Sequence, residues 1–235
     1  MAALLTLVIV TVVLGLANWR YSLWRMRREL DAKALPLDDP ALEAVIARLG
    51  AVVELPDLRV QLYEMPMVNG LATPDGRILI TTALYDKYRF GLIRAEEIAS
   101  VVAHEMGHVA LGHHQRRMID YTGQNAAKMV LMVVLNRFIP IIGIYIAAWL
   151  GNLLMAGLSR RDEFEADRYA TALMLKAGFG HAPQISMFRK LIRMVPGPQG
   201  PTWMQSHPDV EERVRAIEAN AAAWGDTRRT GQPAA

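Results

Sequence analysis

The chain contains no cysteine. That excludes a disulfide framework, a thiolate metal site and a cysteine nucleophile, while leaving the compartment open. Charge is also scarce: Asp, Glu, Lys and Arg make up 21% of the 235 residues, and the formal net charge is only +3. Lys and Arg are dispersed, so neither a nucleic-acid-binding arm nor any other polyanion partner is expected. What the chain has in excess is apolar content, 52% of residues, against about 45–50% in ordinary soluble domains. Its length suits one large domain or two small ones.

Much of that excess lies in two blocks. Met1 to Trp19 carries no charged side chain, the first being Arg20. As a helix the run spans about 28 Å, close to the roughly 30 Å hydrocarbon core of a bilayer. Trp19, Tyr21 and Trp24 follow, interleaved with Arg20, Arg25, Arg27 and Arg28. An aromatic belt with a basic flank belongs at a membrane surface, with the flank in the cytoplasm. Gly15 and Ala17 are compatible with a signal-peptide cleavage site, but the positive charge follows the apolar run instead of preceding it. The expectation is an uncleaved transmembrane anchor over 1–19 and a basic juxtamembrane linker over 20–38. The second block, 129–158, is interrupted by Asn136-Arg137 and Pro140. As a helix it is about 45 Å long, too short for two crossings, which need about 40 residues.

Between the blocks, Leu42, Val45, Ile46 and Leu49 predict an amphipathic helix from Asp39. Leu58 to Tyr63 and Arg77 to Thr81 read as strands, with a turn at Thr73-Pro74-Asp75-Gly76. Helical patterns run from Ala95 through His114, from Arg161 to about Lys176, from Pro183 to Met194 and from Pro208 to Trp224. These elements assign residues 39–226 to one domain and 227–235 to a disordered tail.

The sharpest local signal is His104-Glu105-Met106-Gly107-His108. Histidines at i and i+4 share one helix face, so their imidazoles can converge on one Zn²⁺. Glu105 lies about 100° around the axis, where a carboxylate can take a proton from a metal-activated water. The surrounding Ala103, Met106 and Val109 are apolar, and ionisable groups in such a setting need a partner such as a metal. A catalytic zinc site needs a third protein ligand and an open position. His114 follows His104 at the interval of HExxHxxGxxH sites, but position 111 is Leu and the glycine is at 112. Glu163 is the stronger candidate. It stands four residues before Asp167 in Ser159-Arg-Arg-Asp-Glu-Phe-Glu-Ala-Asp167, so one helix face offers a ligand and a carboxylate for a histidine Nδ1–H. His207-Pro208 and Arg213 admit two readings: a helix start with a solvated arginine, or a further contribution to the site.

Taken in order, His104–His108, Ser159-Arg160 with Glu163 and Asp167, and His207-Pro208 with Arg213 resemble the HtpX-like membrane metallopeptidases. Asn69-Gly-Leu-Ala-Thr-Pro adds to the likeness, which runs from about Leu58 to Ile217. These are gluzincins related to the CAAX prenyl protease and to mitochondrial quality-control peptidases. The resemblance implies zinc ligation by His104, His108 and Glu163, with Glu105 as general base. It also implies that His207 stabilises the oxyanion, that Arg213 orients a neighbour, and that the protein is an endopeptidase in membrane-protein quality control. Two departures are visible: the family usually reads Asn-Ala-Phe where this chain has Asn69-Gly70-Leu71, and HtpX proper has two membrane spans ahead of the catalytic helix.

If the three ligands share one ion, both ends of block 129–158 lie in the same compartment, which excludes a single crossing between them. A helical hairpin bent near Pro140 and Gly143 remains. The expected fold is α+β and mostly helical, with a small antiparallel sheet between Leu58 and Thr81 and an N-terminal membrane helix. The expected partners are polypeptide substrates and a lipid bilayer, in a bacterial inner membrane with the catalytic domain cytoplasmic. A secreted protease using His114, and an inactive anchored chaperone or scaffold with the same peptide groove, are the competing readings.

Overall fold

The structure is a computed structural model that describes residues 2–73, 75–113, 116, 160–194 and 210–226; the side chains at 2–5, 7 and 8 are not among the described ones. The expected hairpin at 129–158, the tail at 227–235, His114 and His207 lie outside the described residues. The chain divides into two compact units, Met1–Ala32 with Gly112–Arg161, and Lys33–Leu111 with Asp162–Ala235.

In the first unit, helix α1 (Ala2–Lys33) runs unbroken through the apolar stretch and most of the basic one. Trp24 meets Tyr21 at a ring separation of 5.9 Å, and the Arg28 guanidinium stacks 5.0 Å from the Trp24 ring centre. Among the described residues no helix is long and apolar enough to cross a membrane.

The second unit opens with β1 (Ala34–Pro36), within the stretch expected to be a linker. Helix α2 (Pro40–Val52) follows, its first turn closed by the Asp39 carboxylate, which accepts from the Leu42 N–H at 3.0 Å. Proline at the first helical position suits that start. Then come β2 (Val60–Tyr63), β3 (Gly70–Ala72), β4 (Ile78–Thr81), α3 (Thr82–Arg89) and α4 (Ala95–Ala110). Helix α5 covers 160–176 among the described residues. Helices α6 (Ala182–Met194) and α7 (Val210–Ala223) complete the unit.

The sheet is mixed, which corrects the antiparallel expectation. Its order is β1-β2-β4-β3, with β2 and β4 parallel and the outer pairs antiparallel. Every residue of β4 is buried, so this Ile-Leu-Ile-Thr strand belongs in the middle, covered on both faces. Gly-Leu-Ala has too little bulk for that position and takes the edge. The chain therefore passes from β2 to the outside and reverses into β4. Asp75, with Arg77 and Thr73 bonded to it, braces the reversal, and Gly76 supplies the positive φ of 89° that the turn requires.

Helix α4 is buried on every side from Glu97 to His108, the mark of a helix at the centre of a core. It packs on the sheet, α2 and α6. Expected to continue through His114, it ends at Ala110, with Leu111 as C-cap and Gly112 at φ 66°. A glycine in the left-handed conformation just past the cap is a common helix stop. At the other end, Glu97 is fully buried and draws three donors: the Arg94 N–H at 2.7 Å, Ser186 Oγ at 2.6 Å and Lys190 Nζ at 2.7 Å. The first turn of α4 is thereby bonded to α6.

Candidate metal centre

Helix α4 presents His104 and His108 one turn apart, and α5 presents Glu163 opposite them. His104 Nε2 lies 3.1 Å from His108 Nε2 and 3.4 Å from Glu163 Oε2, while His108 Nε2 lies 3.5 Å from Glu163 Oε1. Ligands at about 2.0–2.1 Å from a tetrahedral ion lie roughly 3.3–3.4 Å from one another. The three separations lie close to that figure, with the Glu163 carboxylate turning one oxygen to each histidine, and all three residues are buried. Two imidazole nitrogens and a carboxylate oxygen form a donor set suited to zinc, with one tetrahedral position left over.

A glycine and an alanine permit this approach. A Cβ at position 107 would stand 3.0 Å from both the Cα and the carbonyl oxygen of Ala166. Gly107 lies between the two histidines in sequence, and Ala166 between Glu163 and Asp167, so the helices meet where neither has bulk. A glycine inside a helix costs about 1 kcal/mol against alanine. That unexplained cost was the sequence signal for Gly107, which the motif reading passed over.

Behind the histidines lies a closed polar network. His104 Nδ1 is 3.0 Å from Asp167 Oδ1, which orients the ring so that Nε2 faces the cluster. Asp167 in turn accepts from Arg213 at two points, Nε to Oδ2 at 2.6 Å and Nη2 to Oδ1 at 2.8 Å. Arg213 Nη1 lies 3.5 Å from Glu163 Oε2, and Phe188 covers the guanidinium with its ring centre 4.5 Å away. Arg213 is fully buried, which discards the reading of a solvated arginine on a capped helix. Below this network, the Asp167 carbonyl accepts from Thr171 Oγ1 at 2.8 Å and Gln184 Nε2 at 3.3 Å.

Burial and the network set the protonation states. Burial alone would raise the Asp167 carboxyl, but Arg213 and His104 outweigh it and hold it below its ordinary value. Burial would lower the His104 imidazole, yet Asp167 and Glu163 raise it to about 9; a cation at the triad would take that proton's place. The Glu105 carboxyl is raised, first by burial and then by the neighbouring Glu163 charge, against the pull of His104. Among the described residues Glu105 Oε1 is buried without a hydrogen-bond partner. A carboxylate oxygen so placed is suited to exchanging a proton with a water or substrate atom at the triad.

Of the residues singled out in the sequence, His104, Glu105, His108, Glu163, Asp167 and Arg213 thus come together, while His207 lies outside the described residues. His181 stands apart from the cluster: it bonds to Asp226 at 2.9 Å and links the start of α6 to the segment just after α7.

The sequence is similar to Metalloprotease LoiP of Escherichia coli, 29% identical over 207 residues, which is 84% of this chain and 78% of that protein. Protease HtpX homolog 1 of Streptomyces coelicolor is 30% identical over 193 residues, covering 72% of this chain and 60% of that protein. Mitochondrial metalloendopeptidase OMA1 of Arabidopsis thaliana is 24% identical over 152 residues, 65% of this chain but 29% of that protein. The chain therefore spans less than two thirds of the latter two relatives. The pattern of peptidase family M48 matches residues 36–221, a stretch that holds the whole buried cluster, and the chain belongs to this HtpX-like metallopeptidase family.

Proposed function

We propose that the protein is a membrane-anchored zinc endopeptidase that cuts polypeptides by hydrolysis, in the quality control of membrane or unfolded proteins. The observation that carries this reading is the triangle of His104, His108 and Glu163 at tetrahedral spacing, with the Glu105 carboxylate beside it. In this reading those three residues are the ligands of a single ion. A zinc ion held there would supply Lewis acidity and make an attacking water easier to deprotonate.

The remaining work falls to side chains. Glu105 takes a proton from the attacking water and returns it to the leaving amine. Asp167 holds the Nδ1 side of His104, and Arg213 holds Asp167. His207 is assigned to the developing oxyanion; it lies three positions before Val210, where the helix carrying Arg213 begins. The substrate is assigned to the outer edge of β3. In the β3–β4 ladder the Thr81 N–H donates to the Asn69 carbonyl and the Thr73 N–H to the Arg77 carbonyl. Gly70 and Ala72, between these positions, turn their peptide groups away from β4; the Ala72 N–H is bonded to the Glu105 carboxylate, which leaves the Gly70 peptide for an added strand. Pairing with an added strand there reads backbone and not side chains, which suits an enzyme that accepts many unfolded segments.

The proposed layout is an anchor over 1–19, a basic juxtamembrane stretch over 20–38, a catalytic domain over 39–226 and a short tail over 227–235. Residues 129–158 form an apolar hairpin, and the domain faces the cytoplasm from a bacterial cell membrane. The apolar run and its aromatic, arginine-rich flank support this placement.

Purified full-length protein in detergent tests the reading. One zinc per chain and cleavage of casein that stops with chelator and returns with zinc are expected. A zinc-loaded protein inert towards casein and unfolded peptides would favour an anchored chaperone or scaffold instead.

A further inference from the structure

We propose that Gly70 is a positioning residue that sets the distance between the substrate-pairing edge of β3 and the Glu105 carboxylate, with Val101 as its size complement. The inference rests on the peptidase reading above and adds to it.

Gly70 is buried in an edge strand, where glycine is unfavourable unless something approaches closely. Its φ is not positive, so backbone conformation does not require a glycine; space does. A Cβ built there would fall deep inside the contact distance of Val101 Cγ1, 3.3 Å from Glu105 Cγ and 3.5 Å from Glu105 Oε1. Val101 and Glu105 are one turn apart on the face of α4 that meets β3. Valine is stiff about χ1, so a methyl group at position 70 is accommodated by moving the strand.

That spacing matters because two groups converge on one bound peptide. The outward peptide group of Gly70 faces where a strand would add, and Glu105 Oε1, buried and without a hydrogen-bond partner among the described residues, lies beside it. Moving β3 outward leaves its pairing edge intact but carries a paired substrate away from the base. Misplacement of that kind lowers turnover and leaves binding nearly unchanged.

The test is a double-mutant cycle on the full-length protein with Gly70→Ala, Val101→Ala and the pair, scored by zinc content, kcat, KM and Tm. Gly70→Ala is expected to keep its zinc and a KM within about threefold, while kcat falls roughly tenfold to a hundredfold. Adding Val101→Ala removes the obstructing methyl groups and is expected to recover most of that kcat relative to Val101→Ala alone. If Gly70→Ala does not fold, recovery of folding and turnover in the pair carries the same information. Unchanged kcat in Gly70→Ala, a rise in KM alone, or a pair no better than additive would overturn the proposal. A wild type inert on every substrate would instead refute the peptidase reading, and non-additivity in Tm would still decide whether the two positions are size-matched.

Discussion

Arg213 and Asp167 form a two-point ion pair, Nε to Oδ2 at 2.6 Å and Nη2 to Oδ1 at 2.8 Å, with both side chains removed from solvent. Breaking such a pair leaves a buried charge uncompensated. Arg213→Ala is therefore expected to lose about 3–5 kcal/mol of stability. Zinc affinity should fall about 10- to 100-fold, because Asp167 no longer holds His104 in place. Arg213→Lys restores charge but not the paired geometry and should recover only part of either loss. Denaturant melts and zinc titration of the three proteins check this.

Glu105→Gln should bind zinc as the wild type does and lose about 10²–10⁴ in turnover, the range ascribed to a positioned base. Metal analysis and a peptide assay on the same preparation separate the two effects. Wild-type turnover in this variant would show that another group moves the proton.

Gly107→Ala places a methyl group against the Ala166 backbone and should push α5 away from α4. Glu163 would then withdraw from the two histidines, and zinc affinity should fall roughly tenfold or more. Titration against a chromophoric chelator measures it. The loss should exceed the small helix-propensity gain that alanine brings, visible as a lower Tm in the zinc-loaded protein.

Burial alone would raise the Glu97 carboxyl, but Lys190, Ser186 and the Arg94 N–H hold it below its ordinary value of 4.5. A carboxyl lowered by folding adds stability that is fully present above 4.5 and disappears as the pH falls through its folded value. Wild-type Tm should therefore drop on acidification below about pH 5 more steeply than that of Glu97→Gln. At neutral pH Glu97→Gln should be the less stable protein. Parallel slopes would mean that another group governs acid unfolding.

The absence of cysteine makes accessibility labelling straightforward. Single cysteines near residues 129 and 158 are expected to react from the same face of the membrane in intact vesicles. Labelling from opposite faces would be incompatible with one ion held by His104, His108 and Glu163.

The candidate site was legible because the residues that cluster there are written in short spacings. His104 and His108 are one turn apart, as are Glu163 and Asp167, and helical periodicity translates both into shared faces. The sheet was less legible. A three-residue strand such as Ala34–Pro36 is too short to carry an alternation, and Gly-Leu-Ala has none of the β-branched character that marks a strand. The parallel pairing of β2 with β4 follows from burial of all four β4 residues, which depends on helices remote in sequence. Helix α3 escaped for a related reason: with eight residues and one fully buried side chain, Leu84, it offers little periodicity. Glu97 and Gly107 acquire meaning only through Lys190 and Ala166, partners 93 and 59 positions away.

The buried Glu97 has a mechanical corollary. Its bonds to Ser186 and Lys190 fasten one end of α4, and the close passage of Gly107 against Ala166 seats the other. Helix α4 is thus a beam with a support at each end. Strand β3, by contrast, is a cantilever: among the described strands it is paired along one side only. Under the peptidase proposal, room for an incoming chain is made by that strand and not by α4.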